Sequence, residues 1–473
     1  MTENPIFSIV GLGKLGASML GAIARRGFQV IGVDVNPRCV EAINQGHAPV
    51  YETDLEAAIA THHDRIRATT DVNEAVCRSD LTFVVVPTPS DENGAFTLEY
   101  VAKAFRGVGK ALAAKKHYHN VVLTSTVLPG ATRYGLLPIL EQESEKKVGD
   151  DFGLCYSPEF IALGTVIRDF LNPDFLLIGE SDKRAGSQLE QCYRLIMENN
   201  PPAVCMSIEN AELAKIALNS YLTLKITFAN TLAAVCEHIP GGNVDVVTRA
   251  LGLDQRIGNK YLRGGLGYGG PCFPRDNSAF AYVANALGCS ADLAETTDRL
   301  NRTWATRIVK RIRPWLKQGS TVAVLGLSYK PGTMIVEESQ AAELTRGIAR
   351  MGVKTVVYDP LARDAATAAW GAEIIVADSW QECVADADIA IVATPDPVFR
   401  LLRPQHFLKW RPGPAVVVDC WRLLEEHFSS HPGVVYLALG VADDAKGAAE
   451  RLRTLWTAVS LVEKQSVAGG MVP

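Results

Sequence analysis

Short apolar runs and helical stripes alternate along this chain, and their order predicts sheets covered by helices. Ile6–Val10 is an apolar run ending in Gly11-Leu12-Gly13-Lys14-Leu15-Gly16. Apolar residues at helical spacing follow, and then a second run that ends in Asp34. Further Val/Ile/Leu runs stand at Leu81–Val86, Asn120–Thr124 and Phe175–Gly179. Runs without polar alternation belong to parallel strands covered on both faces.

The pattern changes at Glu209–His238. Leu213, Ile216/Ala217, Tyr221, Leu224, Phe228, Leu232 and Val235 recur at helical spacing, which predicts one long amphipathic helix whose stripe packs on a core and a partner. Pro240-Gly241-Gly242 ends it. The strand grammar returns at Thr321–Leu325, Val353–Tyr358, Ile389–Ala393 and Ala415–Val418, with a turn at Gly326–Lys330 and a helix at Ala341–Met351. The expected fold is α/β: two doubly wound, Rossmann-like parallel-sheet domains joined by a central helical domain with one long helix. The expected boundaries are 1–205, 206–317 and 318–460, with a tail over 461–473.

Composition narrows the function. Lys plus Arg is 47 and Asp plus Glu is 52 in 473 residues, a net charge of −5. Without a basic face, nucleic acid is not an expected partner. No basic n-region precedes the first strand and no run approaches the ~18 apolar residues of a membrane span, so neither a signal peptide nor a membrane partner is expected. The ten cysteines show no C-x-x-C pair or zinc spacing, which reads as reduced thiols in the cytoplasm. His62-His63 and the pair His117/His119 lie in polar stretches and are expected on the solvated surface, and no metal site is expected.

Three groups of residues carry candidate chemistry. Gly11, Gly13 and Gly16 follow a strand and open a helix, and Asp34 ends the next strand. Gly11 permits the turn, Gly13 lets a pyrophosphate approach the backbone, and Gly16 lets helix and strand pack closely. Asp34 would take ribose hydroxyls and repel a 2′-phosphate, which favours NAD. Five glycines lie in seven residues at Gly264–Gly270, followed by Cys272 and, four residues on, Asp276. Such a loop is costly in entropy unless its backbone approaches something closely, and a phosphate would justify it. A helix starting at Cys272 would put thiol and carboxylate on one face and lower the thiol pKa. Lys215 and Asn219 lie one turn apart on the long helix, off its apolar stripe. In isolation they read as a solvated face.

These residues sit in ordered motifs. The motifs are Gly11-x-Gly-x-x-Gly16, Val86-Pro-Thr-Pro89, Ser125-Thr126-Val127 with Gly130, Ser157-Pro-Glu159-Phe160, Lys215-x-x-x-Asn219, Gly252-Leu-Asp-x-Arg256-Ile-Gly258, Gly267-Tyr-Gly-Gly-x-Cys272-Phe-Pro-x-Asp276 and Tyr329-Lys330-Pro331. Together they resemble the UDP-glucose/GDP-mannose dehydrogenase family over about residues 5–425. The resemblance implies an NAD site lined by Gly11, Gly13, Gly16, Asp34, Thr88 and Thr126. It implies Glu159 at the nicotinamide and sugar end and Cys272 as nucleophile, with Asp276 and Thr126 activating or positioning water. Lys215 and Asn219 would stabilise the sugar C6 oxyanion. The loop including Gly269, with Tyr261, Arg275 and Lys330, would hold the nucleotide diphosphate. It also implies a homodimer and a four-electron oxidation of a nucleotide sugar to its uronate, of the kind used in polysaccharide biosynthesis, with UDP-glucose 6-dehydrogenase as the default activity.

The chain departs from the family pattern at three places. Ile161-Ala162-Leu163-Gly164 stands where Leu-Arg-Glu-Gly is usual, so Leu163 replaces an acid. Glu337 stands where an arginine is usual. Asp419-Cys420-Trp421-Arg422 stands for Asp-Gly-Arg, with Arg422 one place late as a candidate substrate contact. UDP-N-acetylhexosamines and GDP-mannose therefore stay open as substrates. A two-electron hydroxyacid dehydrogenase and a non-catalytic sugar-nucleotide sensor are the alternatives. The first needs no Cys272, and the second needs no set of Cys272, Lys215, Asn219 and Asp276.

Overall fold

A computed structural model describes residues 4–370, 373–407, 414–442 and 447–457. The expected tail over 461–473 lies outside them. The chain groups into two units, one of residues 1–218 and 278–291, the other of residues 219–277 and 292–473.

The first unit holds an eight-stranded sheet: β1 (Phe7–Val10), β2 (Val30–Val33), β3 (Ile66–Thr69), β4 (Leu81–Val84), β5 (His119–Leu123), β6 (Phe152–Tyr156), β7 (Leu176–Glu180) and β8 (Ala203–Ser207). Their spatial order is β3-β2-β1-β4-β5-β6-β7-β8. All neighbours run parallel except β6 and β7, which are antiparallel, so the expected all-parallel sheet is corrected at that pair. β1, β2, β4, β5 and β6 are buried throughout, which is why most of them read as continuous apolar runs. Strand order reverses between β1 and β4, and the crevice beyond their carboxyl ends is where such sheets bind ligands.

The second unit repeats the plan with six parallel strands. They are β9 (Thr321–Leu325), β10 (Lys354–Tyr358), β11 (Ile375–Val376), β12 (Ile389–Val392), β13 (Ala415–Asp419) and β14 (Val434–Ala438), in the order β11-β10-β9-β12-β13-β14. Helices bury both faces of each sheet.

The long helix spans Ile208–Cys236, close to its predicted range. Its burial reverses the expectation. Leu213, Tyr221, Phe228 and Val235, all on the apolar stripe, are exposed, with Tyr221 at 58%. The inward positions mix apolar with polar residues: Ala211, Ile216, Ala229 and Ala233 are buried together with Glu212, Lys215, Asn219, Thr223, Thr227 and Asn230, as is Glu237 just past the helix end. Lys215 and Asn219 therefore do not form a solvated face. A buried polar face persists only when its groups are satisfied.

His119 is a second correction. It lies in β5 with no exposed surface, its Nε2 2.7 Å from the Thr82 hydroxyl, because β5 is an inner strand. No helix among the described residues is long and apolar enough to cross a membrane.

Candidate active site

In the first unit the glycine turn joins β1 to the helix Lys14–Arg25. Gly11 has φ +99°, and a Cβ there would overlap the Val85 carbonyl oxygen. A Cβ at Gly16 would overlap the Gly11 carbonyl oxygen. Packing within the chain accounts for both. Gly13 differs, because a Cβ there would meet nothing within 4 Å. It is the helix N-cap, no side chain caps the helix and no acid lies in its first turn. An N-terminus with its amides left for a ligand is an anion site. Asp34 sits opposite, its two oxygens accepting from the amides of Leu12 and Asn36 at 2.8 Å each. This set fits a dinucleotide: the bare backbone at Gly13 suits a pyrophosphate and Asp34 a ribose.

The loop after β5 is tied on three sides. The Ser125 hydroxyl donates to the Val86 carbonyl at 2.7 Å and accepts from the Val86 amide at 2.9 Å. Thr88 donates its hydroxyl to the Thr126 carbonyl at 2.7 Å. Glu212 accepts from the amides of Gly130 and Thr132 at 2.6 and 2.8 Å. Sequence reasoning missed Glu212. Its signal was a carboxylate one turn before Lys215 on the face that proves to be buried.

Lys215 donates to the Glu159 carbonyl oxygen at 2.5 Å, and its ammonium lies 4.4 Å from the centre of the Phe160 ring. The helix thereby fixes the Ser-Pro-Glu-Phe segment. Burial pushes the Glu159 carboxyl up to about 7, and the Lys215 ammonium partly offsets that rise. A carboxyl near 7 is matched to proton transfer at neutral pH.

In the second unit Cys272 is exposed and directly precedes the helix Phe273–Ala286. The Asp276 amide donates to the Cys272 carbonyl at 2.8 Å, so the two residues lie one helical turn apart as expected. Asp276 is 1% exposed. Its Oδ2 accepts from Asn219 Nδ2 at 2.6 Å, and its Oδ1 accepts from Arg275 at 3.0 and 2.8 Å. Arg275, an expected diphosphate contact, is thus turned to its neighbour. With both oxygens engaged, Asp276 orients Asn219.

Contacts within the chain also bear on the glycine loop. A Cβ at Gly265 would stand 2.6 Å from the Trp421 ring and one at Gly270 2.7 Å from the Tyr329 ring. At Gly267 it would overlap Asn301 and at Gly269 the Glu338 carbonyl. The loop is threaded against protein walls, which leave no room for a side chain at Gly265, Gly267, Gly269 or Gly270. Asn230 accepts from the Gly265 amide at 2.8 Å, and Asn301 bonds both the amide and the carbonyl of Tyr268 at 2.9 Å. Neither asparagine stood out in the sequence, since each is a lone amide in a helix. Tyr261 is exposed with φ +63°, its ring edge-on to Phe273. The Lys330 ammonium lies 5.7 Å from the Tyr329 ring.

Arg422, the late arginine, does not face outward. Its side chain is 1% exposed, and its fork meets Asp245 at 2.7 and 2.9 Å. It also donates to the carbonyls of Gly264 at 2.6 Å and Leu439 at 2.8 Å. Its φ of +58° is the strained left-handed region, held by these partners.

Fold and glycine turn together define an NAD-binding dehydrogenase with two doubly wound sheets. Residues 6–197, 209–303 and 323–426 match, in order, the NAD-binding, central and UDP-binding domains of the UDP-glucose/GDP-mannose dehydrogenase family. The chain belongs to that family. It is 37% identical over 391 residues to the UDP-glucose 6-dehydrogenase AglM of Haloferax volcanii, covering 82% of this chain and 90% of that one. It is 36% identical over 412 residues to the GDP-mannose 6-dehydrogenase of Azotobacter vinelandii, covering 84% and 92%. A UDP-glucose dehydrogenase structure from Pyrobaculum islandicum superposes with a TM-score of 0.83 at 33% identity, over 93% and 98% of the two chains. The protein is an NAD-dependent nucleotide-sugar 6-dehydrogenase.

Proposed function

We propose that the protein oxidises UDP-glucose to UDP-glucuronate through covalent intermediates on Cys272. The observation that carries this reading is the exposed Cys272 at a helix start, one turn from an Asp276 that holds Asn219. The balance is one C6 hydroxymethyl and one water giving a carboxylate, with two hydrides removed and three protons released. NAD, when bound, accepts a hydride in each half of the reaction. Glu159 takes the proton from the C6 hydroxyl as the aldehyde forms. The Cys272 thiolate adds to that aldehyde, giving a thiohemiacetal, and loss of the second hydride leaves a thioester. Glu159 passes its first proton to solvent; water then attacks the thioester, Glu159 takes the water's proton, the thiolate departs, and the product acid loses the third proton. Lys215 and Asn219 steady the oxygen that carries charge in each step. The covalent bond keeps the aldehyde from escaping.

Thr126, Gly11, Gly13, Gly16, Asp34 and Thr88 serve the cofactor in this reading. Tyr261, Gly269 and Lys330 serve the nucleotide sugar. Arg275 and Arg422 act from behind, through Asp276 and the Gly264 carbonyl. Leu163 removes the second acid beside the sugar, which leaves the base work to Glu159.

The sugar is supported by the AglM likeness and by the UDP-binding domain match. GDP-mannose is the second reading, favoured by the 36% identity to the Azotobacter enzyme. Turnover with NAD and each of UDP-glucose, UDP-N-acetylglucosamine, UDP-N-acetylmannosamine, UDP-N-acetylgalactosamine and GDP-mannose distinguishes them. Activity confined to UDP-glucose supports the proposal, and activity confined to another sugar replaces it. Uronate formation by Cys272→Ala at the wild-type rate would sink the covalent mechanism.

The exposed side chains of Leu213, Tyr221, Phe228 and Val235 along one helix favour a homodimer, and ten cysteines without a C-x-x-C pair or zinc spacing favour the cytoplasm. Sedimentation equilibrium that returns a monomer would refute the dimer.

A further inference from the structure

Trp421 stands where the family pattern has its arginine and Arg422 one place beyond it, and nothing in the reaction requires a tryptophan there. Both reach the start of the loop that leads to Cys272. The Trp421 ring lies flat enough against Gly265 that any Cβ would stand 2.6 Å from it. Its Nε1 donates to the Ala393 carbonyl at 2.9 Å, which fastens the ring beyond the end of β12. Arg422 grips the neighbouring residue, donating to the Gly264 carbonyl at 2.6 Å while its fork is held by Asp245. Two adjacent side chains from the end of β13 therefore hold two adjacent loop residues, one by shape and one by hydrogen bonds.

Asn230 and Asn301 hold the backbone of Gly265 and Tyr268, and Trp421 and Arg422 add a grip at the start of the same loop; misplacement of a reacting group by about 1 Å can cost about 100-fold in rate. We propose that Trp421 and Arg422 are positioning residues that set the Cys272 thiol through Gly265 and Gly264. The inference rests on the reading of Cys272 as nucleophile.

Reciprocal substitution tests it. Gly265→Ala places a methyl against the ring and should lower kcat at least tenfold, with KM for NAD unchanged. Trp421→Leu removes the ring, and the double variant should recover most of the Gly265→Ala loss. Arg422→Lys keeps the charge but loses the fork, and should also lower kcat. The second readout is the rate of Cys272 alkylation by iodoacetamide in the ligand-free protein, mapped by mass spectrometry against the exposed Cys77 and Cys289. That rate should change in each single variant and return in the double.

Additive losses in the double variant would overturn the contact through Gly265. So would variants that melt earlier yet keep kcat and Cys272 alkylation within twofold of wild type. If Gly265→Ala does not fold, Trp421→Leu and Arg422→Lys decide the matter alone. Alkylation reads the loop without turnover, so failure of the nucleophile reading, seen in Cys272→Ala, is distinguishable from failure of the clamp.

Discussion

Asn219 donates its Nδ2 to Asp276 Oδ2 at 2.6 Å, and the other oxygen of that carboxylate takes the Arg275 fork. The carboxylate thus fixes which way the Asn219 amide points. Asp276→Asn keeps the shape but presents an amide to one of these donors. We expect kcat to fall about 100-fold, the scale of losing one oxyanion donor. KM for NAD should hold, and steady-state kinetics on both substrates check this. A variant with wild-type kcat would return Asp276 to a structural role.

Glu159 gives a pH prediction. Its carboxyl is raised to about 7 by burial, so the basic form accumulates only above that pH. kcat/KM for the nucleotide sugar should climb about tenfold per unit below pH 7 and level off above it. Glu159→Gln should lose that limb together with most of the rate. A profile with the same limb in Glu159→Gln assigns it to another group.

The three glycines of the turn should separate by cause. Gly13→Ala adds a methyl into open space, so the melting temperature should hold while KM for NAD rises. Gly16→Ala drives a methyl into the Gly11 carbonyl and should cost about 1–3 kcal/mol of stability as overpacking. Thermal melts with and without NAD read both. Equal destabilisation by the two changes would contradict the assignment of Gly13 to the cofactor.

The turn Gly11–Gly16 with Asp34, and Cys272 with Asp276, were legible from their spacing, whereas the spacing of Lys215 and Asn219 read as a solvated face and only the family resemblance singled them out. Inner strands such as β9 were legible because burial on both faces leaves one continuous apolar run. The edge strands β3, β8, β11 and β14 were missed: all are only partly covered, β3 is broken by Arg67, and β11 is just two residues long. β6 is internal but is broken by Gly153 and Cys155. The long helix misled, since periodicity gives a face and not its direction. Its polar face turned inward because Glu212 and Asn230 meet backbone amides there, at Gly130, Thr132 and Gly265. The Gly264–Gly270 loop was recognised as special, but the walls that confine it, at Trp421, Asn301 and Tyr329, are tertiary and left no local trace.

His119 predicts acid sensitivity. Burial holds its imidazole neutral, with a pKa lowered from 6.5 to about 3. The unfolded chain therefore binds a proton that the folded chain refuses between those values. Stability should fall as pH drops from about 6.5 towards 3, by about 1.4 kcal/mol per unit from this group. Urea titrations of wild type and His119→Gln across that range should differ in slope. Identical slopes would show that another group drives the acid loss.

The central claim is that one Cys272 carries both oxidations without releasing the aldehyde. Its most direct test is to count NADH formed per nucleotide sugar consumed, with sugar limiting and NAD in excess. The account predicts two NADH and one uronate per sugar, with no free aldehyde trapped by hydroxylamine. One NADH per sugar with aldehyde in solution would contradict it.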